Sequence, residues 1–117
     1  MTTNIDLFRM ARQKNIPLDH IVYKDEISKL PKNKELYIIM NMSSSNHPGT
    51  HWTAFYANRY YVIYADSFGV EPPEELIEWA LGRKLIYSDI QTEELDGINC
   101  GQLALNFLRL VKNTLST

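Results

Sequence analysis

The sequence contains a single cysteine among its 117 residues. One thiol excludes an intramolecular disulfide and a cysteine-rich zinc site. Neither sign of charge dominates: 12 basic and 14 acidic side chains leave a net charge of −2 with histidine neutral. Nucleic-acid binding usually leaves a basic footprint, and none is visible. The densest basic cluster, KLPKNK from Lys29 to Lys34, reads as a solvated loop. No apolar run approaches the ~18 residues of a membrane span. In MTTNIDLFRMARQKN, charges stand where a signal peptide has its apolar core, so an intracellular, non-secreted chain is expected. No internal repeat or long low-complexity tract is present.

What is present suits one modest core. The apolar fraction is 44%, and the length predicts a single domain over 1–117. Ile5 to Asn15 spaces Ile5, Phe8, Met10 and Ala11 as a helical face, with Thr3 or Asn4 as its cap and Pro17 as its stop. KDEISKL (Lys24 to Leu30) reads as a short helix and ELYIIMNM (Glu35 to Met42) as a buried strand. Two strands follow, about His51 to Ala57 and Tyr60 to Ser67. EPPEELIEWALG predicts a helix with proline at its start, acidic residues in its first turn and Gly82 just past its end. KLIYSDI (Lys84 to Ile90) is a further strand. CGQLALNFLRLVKN (Cys100 to Asn113) is the most apolar helix, with Leu103, Phe107, Leu110 and Val111 on one stripe and Asn99 as N-cap. Helices and strands segregate, which predicts an α+β fold around a mostly antiparallel sheet.

The chain has only three histidines, and one of them opens a hairpin whose far end carries an aspartate. A two-residue loop at Asn58-Arg59 pairs Ala57 with Tyr60 and Phe55 with Val62. Counted to its end, this register pairs His51 with Asp66. A four-residue loop from Ala57 to Tyr60 keeps the same register. Trp52, Ala54, Tyr56, Tyr61 and Ile63 fall on one face. Phe55, Val62 and Tyr64 share the face of His51. Both faces are apolar, so the hairpin is expected to be covered on both sides. An aspartate beside the imidazole fixes one tautomer and stabilises its cation. Taken alone, such a pair is also compatible with a simple surface ion pair worth under about 1 kcal/mol.

The lone cysteine supplies context. Cys100 opens the last helix, where the positive end of the helix favours a thiolate. Unpaired backbone N–H groups of a first helical turn can hold an oxyanion. Gly101 leaves room for an approaching peptide, and the amide of Gln91 offers a second donor to the oxyanion.

THWTAFY, YADSFG, Gln91 and NCGQLALNFL together resemble the adenain-like cysteine proteases. These are the adenovirus-type maturation proteases and their relatives in virophages and large virus-like transposons, in the same clan as the SUMO-specific proteases. The resemblance covers Gly49 to Val111. It implies the papain-like fold of that clan, with the nucleophile at the N-terminus of a buried helix. By position it makes His51 the general base, Asp66 its orienting acid, Cys100 the nucleophile and Gln91 the oxyanion donor. Trp52 and Gly101 would border a narrow substrate cleft.

The activity so implied is cleavage of protein substrates after small residues, typically glycine, in viral structural precursors during virion maturation. The implied location is a virion or the cytoplasm or nucleus of an infected cell. No metal or organic cofactor is expected. The chain is much shorter than the adenovirus enzymes. It offers no second thiol for a disulfide-linked peptide activator and no basic surplus for a DNA cofactor. Three alternatives share these motifs or the fold: a ubiquitin-like-modifier protease, an acyltransferase of the same clan, and a non-enzymatic binding module.

Overall fold

The computed structural model describes residues 3–43, 51–66, 71–88 and 100–115, the side chain of Cys100 excepted. Five strands form one sheet in the order β1 (His20–Tyr23), β2 (Leu36–Asn41), β3 (Trp52–Ala57), β4 (Tyr61–Ala65), β5 (Lys84–Tyr87). The central pairs, β2–β3 and β3–β4, are antiparallel. Each edge strand joins its neighbour in parallel. Helices α1 (Asn4–Gln13) and α3 (Cys100–Leu115) contribute to the core on one face. A 3-10 segment (Lys24–Lys29) and α2 (Glu74–Ala80) contribute to the core on the other. The α+β class and the apolar cover on both faces agree with the sequence reading.

Period-two alternation sorts the strand residues between two cores. Trp52, Ala54 and Tyr56 join Leu105, Phe107 and Leu108 of α3 beneath one face. Phe55, Ala57, Val62 and Tyr64 join Ile27, Leu76 and Trp79 beneath the other. Because β2 and β3 are buried along their whole length, they read as continuous apolar runs. Leu108 is wholly inaccessible, and truncating it to alanine would cost about 2–5 kcal/mol.

Two helix faces differ from expectation. In α1 the buried residues are Leu7 and Ala11, whereas Ile5 and Phe8 are exposed. In α3, Leu110 is exposed, and Ala104, Leu105 and Leu108 are buried beside Phe107 and Val111. Both helices are apolar over more than one stripe, so spacing alone left their rotation open by about one residue. The ends of α1 are set locally. Thr3 and Asp6 form a reciprocal capping box. Asn15 adopts a left-handed φ of 56°. The N–H of Ile16 then returns to the Ala11 carbonyl at 2.8 Å, which closes a Schellman turn before Pro17 is reached. Gly82, at φ 88°, lies just past α2 as expected. Strand β1 was not anticipated: HIVY is four residues long, half-exposed and on an edge.

The hairpin register also differs. Ala57 pairs with Val62, Tyr56 with Ile63 and Phe55 with Tyr64, each displaced by two residues from expectation. The cause is Asn58. Its side-chain oxygen accepts the N–H groups of Tyr60 at 2.8 Å and Tyr61 at 2.9 Å. Its own N–H donates to the Tyr61 carbonyl at 3.0 Å. The turn therefore spans Asn58 to Tyr61. A tight two-residue loop needs positive φ at both central positions, which Arg59 tolerates poorly. A displacement of two preserves the face of every side chain; a displacement of one would have reversed them all.

Candidate active site

His51 immediately precedes β3, and Asp66 immediately follows β4. With the register extended by one position, Asp66 stands across from Thr53, and His51 lies on the diagonal. A diagonal neighbour is about 7–8 Å away along the backbone, within reach of two extended side chains. The side chains close that gap: His51 Nε2 is 2.8 Å from Asp66 Oδ1. The Asp66 side chain is 0% exposed and that of His51 is 27% exposed. The carbonyl of His51 accepts the N–H of Met42 at 3.0 Å, which extends the β2–β3 ladder to this residue.

The burial of Asp66 separates the pair from a surface ion pair. A fully buried carboxylate must be compensated, and removing its partner typically costs several kcal/mol. The imidazole retains an accessible edge. With Asp66 at Nε2, the other ring nitrogen, Nδ1, is the one available for chemistry with a thiol. The geometry thus provides a base whose orientation is fixed from behind by a buried acid.

The polar residues of the interior mark the same place. Among the described residues, the buried polar or charged side chains are Asn41, Thr53 and Asp66. Asn41 pairs with Trp52, and Met40 with Thr53. All three polar residues therefore occupy the last rungs at one end of the central strands, beside His51. Asn41 uses its side-chain oxygen to accept the N–H of Ser43 at 2.8 Å. Tyr64, two residues before Asp66, is buried on the same face. Its hydroxyl is held neutral well above its usual range, first by burial and then by the Asp66 charge. Sequence reading passed over Asn41 and the hydroxyls of Thr53 and Tyr64. The alternation His51, Thr53, Phe55, Ala57 does flag Thr53 as a polar residue on an otherwise apolar face.

The other site residues are placed in part. Cys100 is the first residue of α3; its side chain lies outside the described residues, as does Gln91. Gly101 is buried in the first turn of α3. Trp52 is 8% exposed and belongs to the core on the α3 side of the sheet, so its indole is largely engaged in packing. Among the described residues, no group of three or more histidine, cysteine, aspartate or glutamate side chains could hold a metal ion, and no helix is long and apolar enough to cross a membrane.

Comparison with solved structures finds a similar fold in the ASFV pS273R protease. The TM-score is 0.63 at 14% sequence identity, over 92% of this chain and 54% of that one. This chain therefore matches about half the length of that protease. The likeness agrees with the clan-level resemblance read from the sequence and does not select the adenain-like branch within it. No protein-family model matches the sequence, and no curated protein matches it.

Proposed function

We propose that this chain is a cysteine peptidase in which Cys100 is the nucleophile, His51 the general base, Asp66 its orienting acid and Gln91 an oxyanion donor. The observation that carries the proposal is the 2.8 Å contact between His51 and the fully buried Asp66, in a chain with the fold of a protease. Cys100 at the head of α3 adds to it. The Cys100 thiolate attacks the scissile carbonyl, and the tetrahedral oxyanion is held by Gln91 and the backbone N–H of Cys100. Imidazolium His51 gives its proton to the departing amine. Water then adds to the thioester, His51 takes up a proton from it, and the carboxylic acid and the free thiolate are released.

Substrates are protein segments with small residues, glycine above all, before the cut. Viral structural precursors processed during virion maturation fit that class, with the enzyme acting in the virion or the infected cell's cytoplasm or nucleus. No DNA cofactor takes part. The wider clan also includes proteases of ubiquitin-like modifiers and acyltransferases. Cleavage of a diglycine-linked modifier fusion identifies the former, and labelling of Cys100 by an acyl-CoA identifies the latter.

The deciding experiment uses a short peptide ending in Gly-Gly with a C-terminal electrophile. Wild-type protein should become covalently labelled at Cys100. Cys100→Ala should take no label, and His51→Ala should label at least about 10-fold more slowly. Equal labelling of wild type and His51→Ala, or cleavage of a peptide by Cys100→Ala, would overturn the reading. A non-enzymatic binding module would bind the peptide without covalent labelling.

A further inference from the structure

The face of the hairpin that carries His51 and Asp66 buries two hydroxyls that packing does not require. We infer that Thr53 and Tyr64 are positioning residues, which hold the Asp66 carboxylate and through it the His51 ring in one orientation. The inference rests on the peptidase reading above.

Thr53 stands across the hairpin from Asp66, one position beyond the last paired residues, Ala54 and Ala65. Directly opposed side chains on one face have Cβ atoms about 4.5–5.5 Å apart. Thr53 is 1% exposed, and its hydroxyl donates to the Met40 carbonyl at 3.4 Å. Tyr64 lies two residues before Asp66 on the same strand face. Its hydroxyl shares a hydrogen bond with the Thr53 side chain and reaches the Glu71 carbonyl at 3.5 Å. The titratable groups acting on Tyr64 are Asp66 and Tyr87. Asp66, Thr53 and Tyr64 thus form a polar cluster spanning β3 and β4, pinned to β2 at Met40.

The surroundings make the hydroxyls conspicuous. Met40, Phe55, Ala57 and Val62 line the rest of this core. Valine in place of Thr53 and phenylalanine in place of Tyr64 would fill the same space without burying a hydroxyl, which is costly unless it is hydrogen-bonded. The polar groups are confined to the rungs beside the carboxylate. Fixed dipoles around a buried carboxylate restrict its rotation, so the oxygen facing Nε2 stays in place. Removing either hydroxyl loosens that oxygen and weakens its support of the imidazolium.

The test measures the His51 imidazole directly. Its titration is followed by NMR in the full chain, with the resonance assigned through His51→Ala. Peptide cleavage is measured in parallel. Thr53→Val and Tyr64→Phe should each lower the His51 titration midpoint by about half a pH unit or more. Each should also reduce kcat about 10-fold with KM within about two-fold. Thr53→Ser, which keeps the hydroxyl, should restore both. The inference falls if folded Thr53→Val and Tyr64→Phe leave the midpoint unchanged. It also falls if Thr53→Ser behaves like Thr53→Val, because packing would then explain the effect. If Thr53→Val does not fold, Tyr64→Phe removes a single oxygen and decides alone. The NMR midpoint needs no turnover, so an inactive wild type would refute the peptidase reading while the titration still decides the positioning role.

Discussion

Nε2 of His51 lies 2.8 Å from Oδ1 of Asp66, although Thr53, not His51, is the residue opposite Asp66 in the hairpin. The contact commits one ring nitrogen to a buried acceptor and leaves the ring's orientation to Asp66. An amide at that position has the same size and a different hydrogen-bonding capacity, so the other imidazole tautomer becomes favoured. Asp66→Asn should therefore fold and bind peptide, yet lose on the order of 10²- to 10⁴-fold in kcat. Steady-state cleavage of a glycine-containing peptide measures this. A loss confined to KM would assign Asp66 to substrate binding instead.

Buried tyrosines set an alkaline limit to stability. Tyr56 donates its hydroxyl to Glu35 Oε2 at 2.6 Å. Burial first, and then that hydrogen bond, hold Tyr56 protonated far above its usual range. Tyr64 and Tyr37 are also raised, in each case chiefly by burial. In the unfolded chain these phenols ionise near pH 10, whereas in the folded chain they stay neutral to higher pH. The unfolded state then binds fewer protons, so stability is fully present below about pH 10 and falls as pH rises beyond it. The slope is at most about 1.4 kcal/mol per pH unit for each tyrosine. Urea unfolding of Tyr56→Phe between about pH 9 and 11.5 should show a shallower decline than wild type.

The parts of this structure that were legible in the sequence are those where one strong local rule acts. Alternation along His51 to Ala57 assigned each side chain to its face. Gly82 marked the end of α2, and the concentration of apolar residues after Cys100 marked α3. The hairpin register was missed because it depends on the Asn58 side chain, which takes two backbone N–H groups from the turn. No periodicity records that choice. The expectation that His51 meets Asp66 survived because the displacement was an even number of residues. Strand β1 was missed because four half-exposed edge residues carry little pattern. The exposed Ile5 and Leu110 show a related limit: a helix apolar over a broad arc does not say which side faces inward. Asn41 and the hydroxyls of Thr53 and Tyr64 were invisible for a third reason. Their significance comes from burial beside a carboxylate, which only the assembled sheet creates.

Arg83 offers a way to separate stability from catalysis. Its guanidinium lies over the Trp79 ring at 4.1 Å and donates to the carbonyl of Trp79. It also donates to the carbonyl of Asn58 at 3.3 Å. One side chain thereby fastens the end of α2 to the hairpin tip, at the opposite end of β3 from His51. Six strand residues separate these ends, about 20 Å. Arg83→Ala removes a cation–π contact and two charge-assisted hydrogen bonds, a loss of about 1–3 kcal/mol. Arg83→Lys keeps the charge but not the planar fork, so it should recover only a minor part of that loss. Thermal unfolding should show the midpoint falling by roughly 4 °C per kcal/mol. Peptide cleavage at a temperature where both variants are folded should match wild type within about two-fold, since distant independent sites act additively. A large fall in kcat in folded Arg83→Ala would mean that the hairpin tip and the His51–Asp66 end are coupled through β3 and β4.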